Sequence, residues 1–290
     1  MLSESVIAAK YKKFFMVNQS SRGISFYIVA HADDWQLFMQ PNVYRHLINV
    51  NLKVIFIVTT AGDAGNDETY WRAREEGSKS SIRLCLAPRS SLSEHSQFGN
   101  FNEHRVYYSV INNTTSYFLR LPDGNLDSKG FEKYHFESLP KLKDGQITKI
   151  TAVDQSTTYH GWEDLCTTIK AIILYESAEV GDVTLNYLNP DNVANPDDHA
   201  DHRATGQAIQ QISSAGTFIQ KLFVGYSVNN TENNLTENHL FWKAGMFAAY
   251  EKTVFDLSGY STLREGLDIY NRWCLSAAKF ITVDPVKQQK

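Results

Sequence analysis

Two short runs in this chain put imidazole and carboxylate side by side: His31-Ala32-Asp33-Asp34 and His199-Ala200-Asp201-His202. Imidazole nitrogen and carboxylate oxygen together make a suitable shell for a divalent metal. Two histidines and one carboxylate leave a coordination position open to water, which marks a catalytic rather than a structural zinc site. A histidine in a loop is on its own an ordinary surface or structural residue. What gives these two runs weight is where the surrounding elements put them.

The stretch 24–30 (ISFYIVA) is apolar, β-branched and aromatic, and reads as a buried strand that runs straight into His31. A helical stretch follows from Trp35, is interrupted at Pro41 and resumes through Ile48. Residues 53–60 (KVIFIVTT) read as a second buried strand ending in the glycine-rich Ala61-Gly62-Asp63-Ala64-Gly65. Strand, loop, helix, strand is a βαβ unit, so the sheet is expected to be parallel, with ligands at the carboxyl ends of its strands. Residues 70–79 read as a helix, 86–102 as a loop, 106–111 as a short strand, and 119–124 as ending in a turn. Residues 125–146 look like an excursion and 147–153 like an outer strand. The apolar periodicity of 161–177 predicts a long helix. A strand at 183–188 runs into the polar loop that carries the second histidine run. Helix 203–221, strand 222–228 and closing helices at 240–250 and 263–280 complete an α/β chain with a mostly parallel sheet. With no internal repeat and no linker, a single domain over 1–290 is expected, its loops at 86–102 and 125–146 setting specificity.

Composition narrows the function classes. An apolar fraction of 42% and a charged fraction of 21% exclude general disorder. A formal net charge of −4 speaks against a broad nucleic-acid-binding surface, and no stretch approaches the length of a membrane helix. The cysteines Cys85, Cys166 and Cys274 form no CxxC pair, so reduced, buried thiols are expected. The start of the chain carries no signal-peptide pattern, and a cytoplasmic location is the expectation. No G-x-G-x-x-G follows the first strand and no G-x-S-x-G elbow appears, which sets aside dinucleotide and serine-hydrolase chemistry. The His-x-Asp…His spacing also fits non-haem iron oxygenases, but those sites sit in all-β barrels.

The motifs resemble those of the LmbE-like, or PIG-L, family of zinc-dependent N-deacetylases, enzymes with a three-layer Rossmann-like fold. The family's His-Pro-Asp-Asp-Glu corresponds to His31-Ala32-Asp33-Asp34-Trp35, and its Thr-x-Gly-x-x-Gly to Thr60-Ala61-Gly62-Asp63-Ala64-Gly65. Its Arg-x-x-Glu helix is matched by Arg72-Ala73-Arg74-Glu75, its Pro-Asp-Gly by Pro122-Asp123-Gly124, and its His-Pro-Asp-His by His199-Ala200-Asp201-His202 with Gly206 beyond. The resemblance implies Zn²⁺ on His31, Asp34 and His202, Asp33 as general base, His199 as electrophilic or acid partner, and Arg72 as a substrate contact. It implies a small-molecule N-acetylated sugar or glycoconjugate as substrate and leaves the oligomeric state open. The chain departs from the pattern at Ala32, Ala200 and Trp35.

The remaining assignments have structural rivals. Asp201 is placed to orient His199 or the second nitrogen of His202, or instead to cap a helix starting near Arg203. Arg72 either reaches the substrate or pairs with Glu75 or Glu76 on a solvated helix face. Asp63 and Asp123 are substrate-side or turn residues. Trp35 is expected to flank the pocket without ligating, since indole offers only a donor. A different metal-dependent amidase, or a catalytically silent sugar-binding or scaffold protein, is the competing function.

Overall fold

The computed structural model describes residues 23–88, 91–178, 180–214, 218–230, 235–263, 273 and 280–283. Its frame is β1 (Gly23–Val29), β2 (Leu52–Thr60), β3 (Glu94–Phe101), β4 (His104–Ile111), β5 (Thr114–Leu121), β8 (Asp182–Leu188), β9 (Ile219–Phe223) and β10 (Phe280–Val283). They make one sheet in the order β10-β9-β8-β1-β2-β5-β4-β3. The run β9-β8-β1-β2-β5 is parallel, and β10, β4 and β3 are antiparallel additions at the two edges. A parallel core separates this chain from the all-β barrels of the rival iron chemistry.

Every residue of β1 is buried, because both sheet faces are covered. Side chains of a strand alternate between faces. Thus Ile24, Phe26 and Ile28 enter one core with Ile55 and Ile57, while Tyr27 and Val29 enter the other with Val54, Phe56 and Val58. The first core is closed by α5 (Trp162–Ser177), through Leu165, Ile169, Ile172 and Ile173, and by α6 (Ala200–Ser213), through Ala204, Ala208, Ile209 and Ile212. The second is closed by α1 (Asp34–Phe38), α2 (Asn42–Leu47), α3 (Glu68–Leu86) and α7 (Glu237–Ser258). The outcome is a three-layer α/β fold. No described helix is long and apolar enough to cross a membrane.

Several elements differ from the sequence reading, each for a physical reason. The expected loop 86–102 contains β3, whose residues are nearly all exposed because it is the sheet edge, so it carries no apolar alternation. Residues 114–121 form a fully buried inner strand, not simply the approach to a turn. Its letters, TTSYFLRL, hide this: buried Arg120 is neutralised by Glu75 and Asp154, and the Thr and Ser hydroxyls lie inside. Only Ile150–Thr151 of the expected strand 147–153 is extended, as β6, and it pairs with β7 (Thr158–Tyr159) outside the main sheet. Between them and β5 lies the short α4 (Leu139–Lys143). Helix α6 begins earlier than expected, at Ala200, and ends at Ser213, and β9 ends at Phe223. The stretch 1–22, most of the expected helix 263–280, and Cys274 lie outside the described residues. Cys85 and Cys166 are buried and free.

Two contacts seat α6 on the sheet. Thr205 Oγ1 lies 2.8 Å from Thr59 Oγ1 of β2. Gly206 sits so close to β8 that a Cβ there would stand 2.4 Å from the Leu188 carbonyl oxygen. Gly206→Ala is therefore expected to push α6 off the sheet and cost about 1–3 kcal/mol. Urea unfolding checks this: an unchanged midpoint would mean that the backbone approach is not constrained.

Candidate active site

The parallel strands end together, and their exits form a cleft lined by His31, Asp33, Asp34, Asp123, His199 and Arg74 among others, with a volume of about 510 Å³. His31 follows β1 directly. Asp34 opens α1, and its Oδ2 accepts the backbone amides of Ala30 (3.0 Å) and His31 (2.7 Å). One carboxylate oxygen is thus used to fold the strand exit, which leaves Oδ1 to face inward. His202 lies in the first turn of α6, whose capping residue is His199: the Asp201 amide donates to His199 Nδ1 at 3.1 Å.

These loops bring His31 and His202, 171 residues apart, within 3.1 Å, Nδ1 to Nε2. Asp34 Oδ1 lies 3.0 Å from His202 Nε2 and 3.5 Å from His31 Nδ1. Three donors around a tetrahedral ion with bonds of about 2.0–2.2 Å stand about 3.3–3.6 Å apart. The spacing of the three atoms therefore fits one small divalent ion, and the donor set of two nitrogens and one oxygen suits zinc. The orientation of His202 supports this fit. Its Nδ1–H donates to Asp198 Oδ1 at 2.8 Å, which fixes the tautomer and turns the Nε2 lone pair to the shared point. His31 has its Nδ1 at that point and its Nε2 toward Asp201 Oδ2 (3.5 Å) and Asp123 Oδ2 (3.8 Å). His31 Nε2, Asp123, His199 and Asp201 make a second close group of possible ligands.

The electrostatics follow from burial. Water would lower the energy of any charge here, so burial alone raises the carboxyls and lowers the imidazoles. For Asp34, His202 and His31 outweigh burial and hold its carboxyl well below the usual range. Burial likewise opposes protonation of His202, but Asp198 and Asp34 lift it to about 9. For His199 burial wins: with the neighbouring His31 it lowers the ring to about 4, against the opposing pull of Asp201 and Asp123. It is a neutral ring near pH 7, and because Nδ1 accepts an amide, Nε2 carries the proton.

The positions expected at the site fall into two groups. His31, Asp33, Asp34, Asp123 and His199 line the cleft, and His202 and Asp201 stand directly behind it. Asp201 neither orients His202 nor caps the helix. It accepts the Gly124 amide at 2.8 Å and faces His31. Three expected substrate contacts are corrected. Arg72 is half exposed on the outer face of α3, where it pairs with Glu68 at 2.5 Å. Its place in the cleft is taken by Arg74, which donates to Asp33, to the Gly62 carbonyl and, at 2.7 Å, to Tyr250 Oη. Asp63 is wholly buried, its oxygens taken by the amides of Asp123 and Gly65, both at 2.9 Å. Burial and Asp123 raise its carboxyl to about 6. Trp35 does not flank the cleft. It is wholly buried against Phe56, with Nε1–H donating to Ser78 Oγ at 3.0 Å.

Sequence reasoning missed two residues. Arg74 lies on the buried stripe of α3 with Tyr70, Ser78 and Ser81, whereas Arg72 lies off it, so helical periodicity held the signal. Asp198 stands one turn before His202, a spacing that puts both on one side of the turn.

A family model described as PIG-L, GlcNAc-PI de-N-acetylase, matches residues 26–213. A search of curated proteins finds no match. Among solved structures, the N,N'-diacetylchitobiose deacetylase of Pyrococcus horikoshii, complexed with its inhibitor MPG, is 13% identical, covers 98% of this chain and 93% of its own, and has a TM-score of 0.43. The 4-carboxy-2-hydroxymuconate hydratase GalB of Pseudomonas putida KT2440 is 8% identical, covers 91% and 97%, and has a TM-score of 0.41.

Because a metal must displace protons from His202, lifted to about 9, and from His31, which Asp34, Asp201 and Asp123 hold well above its usual value against burial, zinc affinity should rise with pH through the neutral range, read by dye competition at several pH values. In metal-free protein the sign is opposite: the stabilisation from protonated His202 is complete below about 6.5 and is lost as pH rises through about 9. Asp198→Asn should weaken zinc binding about 10–100-fold, read by competition with a chelating dye at fixed pH; equal affinities would remove Asp198 from the site. Trp35→Ala should cost about 3–5 kcal/mol of stability while zinc still binds. Undiminished stability in denaturant titration would contradict its core position.

Proposed function

The chain belongs to the PIG-L family, and we propose that it hydrolyses the acetamide of an N-acetylglucosamine-type sugar or conjugate, releasing acetate and a free amine. The observation that carries this reading is the convergence of His31 Nδ1, Asp34 Oδ1 and His202 Nε2 on one point beside Asp33. These three residues would hold the metal. A zinc ion there supplies a Lewis acid that polarises the acyl oxygen and acidifies water.

The rest of the chemistry belongs to side chains. Asp33 is the general base that takes the proton of the attacking water and delivers it to the departing amine, so the proton balance closes within one group. Arg74 fixes the Asp33 carboxylate from behind, and is itself fixed by Gly62 and Tyr250. His199 serves as a neutral donor: its Nε2–H stabilises the oxyanion of the tetrahedral intermediate without needing a charge. The acid role that the resemblance implies for His199 would need a protonated ring, for which burial beside His31 is a poor environment. Asp201 keeps the far side of His31 negative and ties down the Gly124 turn.

Acetate release from N-acetylated sugars by zinc-loaded protein tests the reaction. Asp33→Asn should keep metal content and lower kcat by about 10²–10⁴-fold. A near-normal kcat would show that the base lies elsewhere.

A further inference from the structure

The cleft has a polar floor, and its mouth carries two exposed side chains with large apolar surface among polar neighbours. Leu126 lines it and is 79% exposed. Tyr260, 48% exposed, lines the same cleft and rests its ring on Tyr70 at 5.1 Å. Leu126 is not a loose surface residue. Its amide donates to Asn125 Oδ1 at 2.7 Å, and the Asn125 amide donates to Asp123 Oδ1 at 2.7 Å. The Gly130 amide closes the loop on the Gly124 carbonyl at 2.9 Å. The base of the loop is bolted to the site through Asp123 on Asp63 and Gly124 on Asp201. Hence the backbone that carries the leucine is anchored to the site.

We propose that Leu126 and Tyr260 form a subsite for an uncharged, apolar group carried by the sugar, so that the substrate is a glycoconjugate with such an aglycone. The proposal rests on the deacetylase reading and deepens it. The cleft is of the size that takes a drug-like ligand and offers more room than one pyranose with its acetamide needs. Covering the two side chains removes apolar surface from water, which favours an apolar occupant. Charge points the same way. Apart from histidines, the charged side chains among the described lining residues are Asp33, Asp34, Asp123 and Arg74, and Arg74 is engaged with Asp33. A phosphate on the sugar would meet carboxylates.

The test compares N-acetylglucosamine, its hexyl β-glycoside and its 1-phosphate as substrates of zinc-loaded wild type, Leu126→Ser and Tyr260→Ser. Wild type is expected to prefer the hexyl glycoside over the free sugar by about tenfold or more in kcat/KM, mainly through KM. In each variant that ratio should collapse toward one. A ratio that survives both substitutions, or a preference for the 1-phosphate, would overturn the proposal. If wild type releases acetate from none of the three, the deacetylase reading fails, and calorimetric binding of the hexyl glycoside still decides this one. Tighter binding to wild type than to Leu126→Ser supports the subsite, and equal affinities overturn it.

Discussion

Charge without water is the constraint on which this structure depends. At the carboxyl ends of the parallel strands, Asp33, Asp34, Asp198 and Asp201 are buried together with His31, His199 and His202. Buried ionisable groups persist only when partners replace the lost hydration. Each carboxylate here has that replacement: backbone amides for Asp34, Arg74 for Asp33, His202 with the Tyr226 amide for Asp198, and the Gly124 amide for Asp201. Those partners come from the exit of β1, α3, α6 and the loops after β5 and β9, so compensating the cluster and closing the fold are the same act. A divalent cation at the point where three lone pairs meet would complete the compensation.

How much of this was legible in the sequence varies with the chemistry of each element. The strands β1, β2 and β8 were plain because a parallel strand buried on both faces is apolar throughout. His31, Asp34 and His202 were legible as a group because each histidine run follows directly on such a strand or its exit loop. Arg72 was read in place of Arg74 because a linear motif does not say which face of α3 turns inward; the buried stripe does. β5 is hidden because its polar residues are buried, Arg120 being paired with Glu75 and Asp154, groups distant in sequence. Asp63 looked like a turn or contact residue, and its role as the brace of two loops depends on Asp123, far along the chain.

The departures from the family pattern take on physical meaning in the same frame. Trp35 replaces an acidic residue, yet its side chain lies in the core between β2 and α3 and takes no charge from the cleft. Ala32 is buried, and Ala200 begins α6, where the Asp201 amide bonded to His199 Nδ1 fixes the turn. The strand exits are therefore held by hydrogen bonds where the family pattern has proline. His31, Asp33, Asp34 and His202 of the pattern are all present.

The central claim is that one ion sits on His31, Asp34 and His202, and diffraction at the zinc absorption edge from crystals grown with zinc tests it most directly. The account predicts a single strong anomalous peak about 2.0–2.2 Å from His31 Nδ1, Asp34 Oδ1 and His202 Nε2. A peak held instead by His31 Nε2 with Asp123, His199 or Asp201, or no peak in the cleft at saturating zinc, would contradict it.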